Sequence, residues 1–367
     1  MKLLFGIKSM NVPGGGAERV LATVVSGLAA RGHDVAVLTF DAPGGTSFYP
    51  MDARVRRIAL GLGSTDRKTG ARDFVARLPA LRRALRRERP QVAVGFMHSM
   101  FVPLSLASVG LRIPMVASEH TVPEYYRNRR WEYLLLVLAG LRSARITVPS
   151  DAIRERMPAL VRARTATIPN PVAVPAPTAA RTGGTQTVLA VGRLDADKDH
   201  ATLIDAFATL AERFPDWRVR IVGEGNLRGA LAHQISSLGL DARVTLAGAT
   251  PDIAREYAEA EVLAVPSRYE SFGMATAEAL ATGVAVVGFA DCPGTNELVR
   301  HGENGWLVDG ADATRVSAFA NGLAALMSDS DLRTRLGTAA ARDAIRFDPA
   351  SVVSAWERHL ARVGGIA

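Results

Sequence analysis

Residues 262–288 read VLAVPSRYESFGMATAEALATGVAVVG. Two short apolar runs, Val262–Val265 and Val284–Gly288, flank a segment of helical period, Met274–Thr282. Strand, helix and strand so close together form one βα unit of a parallel sheet. The same alternation extends upstream: strand Thr187–Val191, helix Thr202–Phe214, strand Trp217–Val222, helix Leu227–Leu238, strand Arg243–Leu246 and helix Ile253–Glu259. It recurs in the first half, where Lys2–Ile7, Asp34–Phe40, Gln91–Phe96, Pro114–Ser118 and Arg145–Val148 read as strands buried on both faces. Between the first two, Ala17–Arg31 carries Val20, Leu21, Val24, Val25 and Leu28 at helical spacing, with Gly32 as a stop. The pattern fails in Asn170–Gly184, where three prolines and two glycines in fifteen residues cannot continue a helix or a central strand. We therefore expect two Rossmann-like doubly wound α/β domains facing a central cleft, at residues 1–170 and 185–345. A linker at 171–184 joins them, and a C-terminal helix at 346–367 is placed to cross back to the first domain. Ligands belong at the carboxyl ends of the strands.

Length and composition agree with this division. The 367 residues suffice for two ordinary domains, and 48% hydrophobic with 22% charged residues excludes collagen-like, disordered and disulfide-scaffold chains. The single cysteine, Cys292, has no intrachain partner, reads as a small apolar filler and fits a reducing compartment. The net charge of +8 is an average of unlike halves: residues 1–180 hold 26 basic and 12 acidic residues, residues 181–367 hold 18 and 24. The basic half points to nucleic acid, an anionic membrane or a polyanionic substrate. The apolar run Leu134–Leu141 is eight residues, far short of the ~18–20 that span a bilayer. Lys8 interrupts the opening apolar stretch and no small-residue cleavage site follows, so MKLLFGIKSM reads as a first strand and the protein as cytoplasmic.

Candidate chemistry concentrates around Glu270-Ser-Phe-Gly-Met-Ala-Thr-Ala-Glu278. Phe272, Gly273 and Met274 offer backbone N–H groups at a helix start, a ready anion site, and Gly273 permits close backbone approach. Glu278, within the helix, can accept from a diol. After the first strand of the same half, Gly192-Arg193-Leu194-Asp195-Ala196-Asp197-Lys198 releases two cations that can converge on a diphosphate, Arg193 as a planar fork and Lys198 as a point charge.

With these motifs in this order, the sequence resembles the family 4 glycosyltransferases, retaining enzymes of the GT-B fold. The Gly14-Gly15-Gly16-Ala17-Glu18-Arg19 loop, Ser118-Glu119-His120-Thr121, Gly192-Arg193 with Lys198, Val222-Gly223-Glu224-Gly225, Pro266-Ser267 and the two-glutamate motif continuing to Gly283 carry the likeness. The resemblance implies that Arg193 and Lys198 bind the donor diphosphate and stabilise the leaving group. It implies that Glu278 holds the ribose, and that Glu270 with Phe272, Gly273 and Met274 holds the transferred sugar. Gly15 and Gly16 would approach the donor phosphate, His120 would point at sugar and acceptor, and Gly223 and Ser271 complete the donor-binding set. The donor implied is a UDP-sugar, with no metal or other cofactor, and the acceptor lipid-linked or a polysaccharide. A GDP-mannose-dependent mannosyltransferase and a nucleotide-sugar epimerase are the rival readings. The family commonly has Pro where Ala285 stands. Asp291-Cys292-Pro293 is similar to members acting on lipid-linked acetamido sugars, whereas the following Pro-Gly-Thr-Asn-Glu297 departs from their pattern.

Other motifs read differently. GGGAER does not give the G-x-G-x-x-G of a dinucleotide site. The pairs Asp195/Asp197 and Asp329/Asp331 are weak metal candidates, the first beside Lys198 and the second in a helical region. From Arg67 to Arg89 nine Lys or Arg residues interleave with Phe74, Val75, Leu78, Leu81 and Leu85, the pattern of a basic amphipathic helix. A second patch, Arg127–Arg130, lies among Tyr125, Tyr126 and Trp131 before the Leu134–Leu141 run. Both suit the inner face of an anionic membrane. Nucleic acid is the weaker reading, because no helix-turn-helix, RNA-recognition or zinc signature accompanies the charge.

Overall fold

A computed structural model describes residues 1–11, 15–63, 71–126, 128–172, 186–250 and 252–365. The chain divides into two compact units, residues 1–171 with 349–367, and residues 172–348. The first is built on parallel strands β1 (Lys2–Gly6), β2 (Asp34–Thr39), β3 (Arg56–Ala59), β4 (Val92–Phe96), β5 (Met115–Ser118), β6 (Arg145–Val148) and β7 (Thr165–Thr167). Their order is β3-β2-β1-β4-β5-β6-β7. The second holds β8 (Gln186–Val191), β9 (Trp217–Val222), β10 (Val244–Gly248), β11 (Val262–Val265), β12 (Ala285–Phe289) and β13 (Trp306–Val308), in the order β10-β9-β8-β11-β12-β13. Each sheet thus reverses direction once, between β1 and β4 and between β8 and β11, which is the doubly wound arrangement.

Central strands such as β4 (VAVGF) and β12 (AVVGF) are buried throughout, as continuous apolar runs require when helices cover both faces. Three strands that the patterning does not announce, β3, β7 and β13, are all edges. With one neighbour and a partly solvated face they need no long apolar run: β3 is RRIA with both arginines exposed, β7 is TAT, and β13, though apolar as WLV, is only three residues long. The helix expected at Thr202–Phe214 spans His200–Ala208 instead. Past its end the guanidinium of Arg243 donates to the carbonyls of Phe214 (2.7 Å) and Trp217 (2.8 Å), fixing the chain as turns that lead into β9.

The C-terminal helix, Pro349–Gly364, belongs to the first unit, and the chain enters the second at Val172, whose N–H donates to Phe347 O. Of the linker expected at 171–184, residues 173–184 lie outside the described residues. Trp356 packs edge-on to Phe5 (6.3 Å) and stacks on Phe96 (5.7 Å, 23°). Gly27 lets this helix close on the helix Gly16–Ala30, since a Cβ there would stand 2.5 Å from a Val353 methyl. Arg31 and His33 both reach Glu357, at 2.7 Å each.

His359 on the same helix is held at about 4 by burial first and by the charges of Arg145 and Arg362 next. Unfolded, its pKa returns to about 6.5, so its stabilising share is complete above that value and is lost as pH falls towards 4. Thermal melts at pH 7 and pH 5 should show a smaller drop in Tm for His359→Gln than for the unaltered chain; an identical drop would remove the assignment.

Candidate active site

In the second unit the pairing of Val262 with Val188 and of Leu263 with Leu189 delivers the loops after β8 and β11 side by side at the switch point. Arg268 ties them together, its N–H donating to Asp197 O (2.9 Å) and its Nε to Asp199 Oδ2 (3.0 Å). Arg315, buried and stacked 3.6 Å over the Phe289 ring, reaches the carbonyl of Ser267 from below. The Gly223-Glu224-Gly225 turn supports the first loop from behind: Gly192 N–H donates to Val222 O and Leu194 N–H to Glu224 O. Gly223 has φ +151°, and a Cβ there would lie 1.9 Å from Gly192 O, so only glycine admits this contact.

Lys198 lays its aliphatic stem over Gly192 and places its ammonium 2.6 Å from Glu270 Oε1, which also accepts from the Ser267 hydroxyl at 2.9 Å. Both side chains are less than one-fifth exposed. A cation and a carboxylate from two different loops therefore meet at the carboxyl edge of the sheet. Beside them the helix Met274–Ala281 starts after Gly273, which has φ +80° and no side-chain cap. The amide of Met274 opens the helix and those of Phe272 and Gly273 lie in the loop just before it, and a helix N-terminus with no side-chain cap suits an anion or a hydroxyl. Ser271 precedes them in the loop. Glu278 is 7% exposed and accepts from the Tyr257 hydroxyl at 2.9 Å, so it is a buried, oriented acceptor and no solvated face.

The structure does not set Arg193 as deeply as Lys198. Its side chain is 70% exposed and pairs with Asp195 at 3.0 Å. Asp195 also accepts from Lys198 N–H, and Asp329 caps the helix Ser330–Ala344 through Leu332 N–H, so each Asp-x-Asp pair has a member shaping the backbone. No three metal-type side chains cluster among the described residues. Cys292 is buried, and burial pushes its thiol up to about 12, which makes it unreactive. Just beyond it Gly294, at φ +78°, passes so near Glu270 that a Cβ would lie 2.7 Å from its carbonyl oxygen. The Pro-Gly after Cys292 therefore packs closely against the loop that carries Glu270.

The first unit carries its own candidate group. Gly15 is the extended N-cap of the helix Gly16–Ala30, and Gly14 lies outside the described residues. A Cβ on Gly15 would meet Glu18 Oε2 at 2.0 Å: the helix's own carboxylate, its pKa raised by burial, lies across the end an anion would take. His120 follows β5. Its ring stacks on Phe96 (4.9 Å, 20°), and its backbone N–H, with that of Thr121, donates to the buried carboxylate of Glu119 (2.9 Å each). Tyr126 donates its hydroxyl to the other oxygen of Glu119 at 2.7 Å. No motif marks Phe96 or Tyr257, which contact His120 and Glu278; Glu119 stands in the Ser118–Thr121 motif without a role of its own, and Tyr126, named only in the second basic patch, holds Glu119.

Residues 14–174 match the family described as Glycosyltransferase Family 4, and residues 178–343 the family described as Glycosyl transferases group 1. The chain is a GT-B glycosyltransferase. This glycosyltransferase is 26% identical over 369 residues, 99% of each chain, to the GalNAc-alpha-(1->4)-GalNAc-alpha-(1->3)-diNAcBac-PP-undecaprenol alpha-1,4-N-acetyl-D-galactosaminyltransferase of Campylobacter jejuni. It is 25% identical over 329 residues to an uncharacterized glycosyltransferase of Haemophilus influenzae, covering 89% of this chain and 91% of that one. Among solved structures, sucrose-phosphate synthase of Thermosynechococcus elongatus matches it with a TM-score of 0.87 at 19% identity over the whole of both chains. HepE of Anabaena, in complex with UDP and glucose, matches with a TM-score of 0.79 at 22% identity, over 99% of this chain and 100% of that one.

Proposed function

We propose that this glycosyltransferase moves a hexosyl group, an N-acetylhexosaminyl group included, from a UDP-sugar to a lipid-linked or polysaccharide acceptor, with retention and without a metal. The observation that carries the reading is the Lys198–Glu270 pair beside an uncapped helix at the β8/β11 switch point. A diphosphate takes Lys198 away from Glu270, and the freed carboxylate accepts hydroxyls of the transferred sugar, joined by the amides of Phe272, Gly273 and Met274. Arg193 turns from Asp195 to the same diphosphate. Glu278, oriented by Tyr257, accepts from the ribose. No carboxylate is assigned as nucleophile. A front-face displacement, in which a donor phosphate oxygen takes the acceptor proton, accounts for retention. The UDP and glucose in HepE and the undecaprenol-linked substrate named for the C. jejuni relative support the donor and acceptor classes. Turnover of a panel of UDP- and GDP-sugars, with and without a polyprenyl diphosphate saccharide, tests the reading by the anomer formed. An inverted anomer sinks retention, turnover of GDP-mannose alone sinks UDP, and epimer formation without transfer sinks the reaction type.

Docking at the inner membrane face is part of the proposal, through the second of the two segments that the sequence suggests. Within the helix Ala71–Glu88, Leu81, Ala84 and Leu85 are in the core, Arg77 is buried over Phe40, and Arg82 donates to Ala107 O and Val109 O. Most of its apolar face is therefore used within the fold, and of its large apolar side chains Val75 is exposed. Arg67 and Lys68 of that patch, and Arg127 of the second, lie outside the described residues. The helix Arg130–Arg142 instead exposes Trp131, Leu134, Leu138 and Leu141 along one stripe, with Tyr125 and Arg129 at its entry. No helix among the described residues is long and apolar enough to cross a membrane, so contact through this stripe would be interfacial. Trp131→Ala should weaken cosedimentation with phosphatidylglycerol vesicles by about tenfold. Equal binding of the unaltered chain to neutral and anionic vesicles would refute docking.

A further inference from the structure

We propose that Thr147 and Ser118 hold His120 as the neutral imidazole with its proton on Nδ1, so that His120 serves sugar transfer as a hydrogen-bond donor to a substrate oxygen and never as a base. The inference rests on the transferase reading for its substrate, but on the first unit alone for its geometry.

Parallel pairing of β5 with β6 sets Ser118 opposite Thr147. The Thr147 hydroxyl donates to Ser118 Oγ at 2.9 Å, and Ser118 Oγ lies 2.9 Å from His120 Nε2. Each hydroxyl has one proton to give. Once Ser118 accepts the proton of Thr147, its own goes to Nε2, which must then be the unprotonated nitrogen. Both hydroxyls are 1% exposed, so water does not compete. Phe96, itself backed by Trp356, fixes the plane of the ring, and turning the ring over within that plane would take Nε2 away from Ser118. Burial alone holds the imidazole neutral, at about 4. Nδ1 has no hydrogen-bond partner among the described residues, and a buried donor left open in a folded protein calls for a ligand. A substrate oxygen supplies that partner. No proton is transferred to His120 in this scheme. Ser118 and Thr147 are positioning residues, acting through the ring.

Nitrogen-15 NMR of the full chain labelled at histidine tests this directly, with the His120 signal assigned by its loss in His120→Gln. The unaltered chain at pH 7 should show a protonated Nδ1 and a bare Nε2. Thr147→Val leaves Ser118 able either to donate to Nε2 or to accept from Nε2–H, so the opposite tautomer should appear beside the first, and Thr147→Ser should restore the first alone. In turnover, Thr147→Val should lower kcat by about tenfold with donor KM changed less than about twofold, and Thr147→Ser should recover it. The kcat profile of the unaltered chain should show no imidazole limb between pH 5 and 8. A proton on Nε2 in the unaltered chain, or an unchanged tautomer in Thr147→Val, overturns the proposal. The expected tautomer in a chain that turns over no nucleotide sugar would retire the transferase reading and leave the tautomer assignment in place.

Discussion

Replacing Lys198 by alanine should lower kcat for sugar transfer by about 10²–10³-fold while the chain stays folded. The ammonium lies at the β8/β11 switch point, 2.6 Å from Glu270 and less than one-fifth exposed, where it can meet the charge that grows on a departing diphosphate. Arg193 is a poor substitute, being 70% exposed and engaged with Asp195. The substitution has a second cost: Glu270 is left with the Ser267 hydroxyl and without its cation, worth about 1–3 kcal/mol of stability. Glu270→Gln in the same chain removes that uncompensated charge. The double variant should recover most of the lost Tm and none of the lost kcat. Initial rates and thermal melts on the two variants separate the effects, and full activity in Lys198→Ala would end the site assignment.

Trp356→Ala should be the most destabilising single change in the first unit, by about 3–5 kcal/mol. The indole is 2% exposed and wedged between Phe5 of β1 and Phe96 of β4, where nothing else can fill its volume. The second unit contains none of these residues. Calorimetry should therefore show one transition moved down and another unmoved. Activity should fall at temperatures where both units remain folded, because Phe96 carries His120 on its other face. Trp356→Phe keeps an aromatic ring behind Phe96 and should recover most of both losses. A single transition that shifts as a whole would show that the helix Pro349–Gly364 is not specific to the first unit.

The parts of this molecule legible in its sequence are those encoded by neighbours along the chain. Val262–Val265, a glycine-bearing loop and the Met274 helix are local patterns, and the structure reproduces them within a residue. Lys198, Glu270 and Glu278 could be named because loop position and charge are local as well. The edge strands escaped because an edge needs no apolar signature, as the arginines of β3 show. The stack His120–Phe96–Trp356 escaped because its members come from β5, β4 and the C-terminal helix, and only the folded chain brings their faces together. Charge counting misread the Ala71–Glu88 helix for a related reason. Arg77 and Arg82 count as surface charge in a sequence, yet one is buried against Phe40 and the other is engaged on backbone carbonyls. The second segment was legible because its marks are local: aromatics beside arginines lead into an apolar run, and Trp131, Leu134, Leu138 and Leu141 are exposed in the fold.

The most direct measurement is a calorimetric titration of UDP into the full chain, repeated with Lys198→Ala and Glu278→Gln. Saturable binding to the unaltered chain, weakened at least about tenfold by either substitution, is the expected result. No binding of UDP to the unaltered chain, or equal affinity in all three, would contradict a nucleotide site at the β8/β11 switch point.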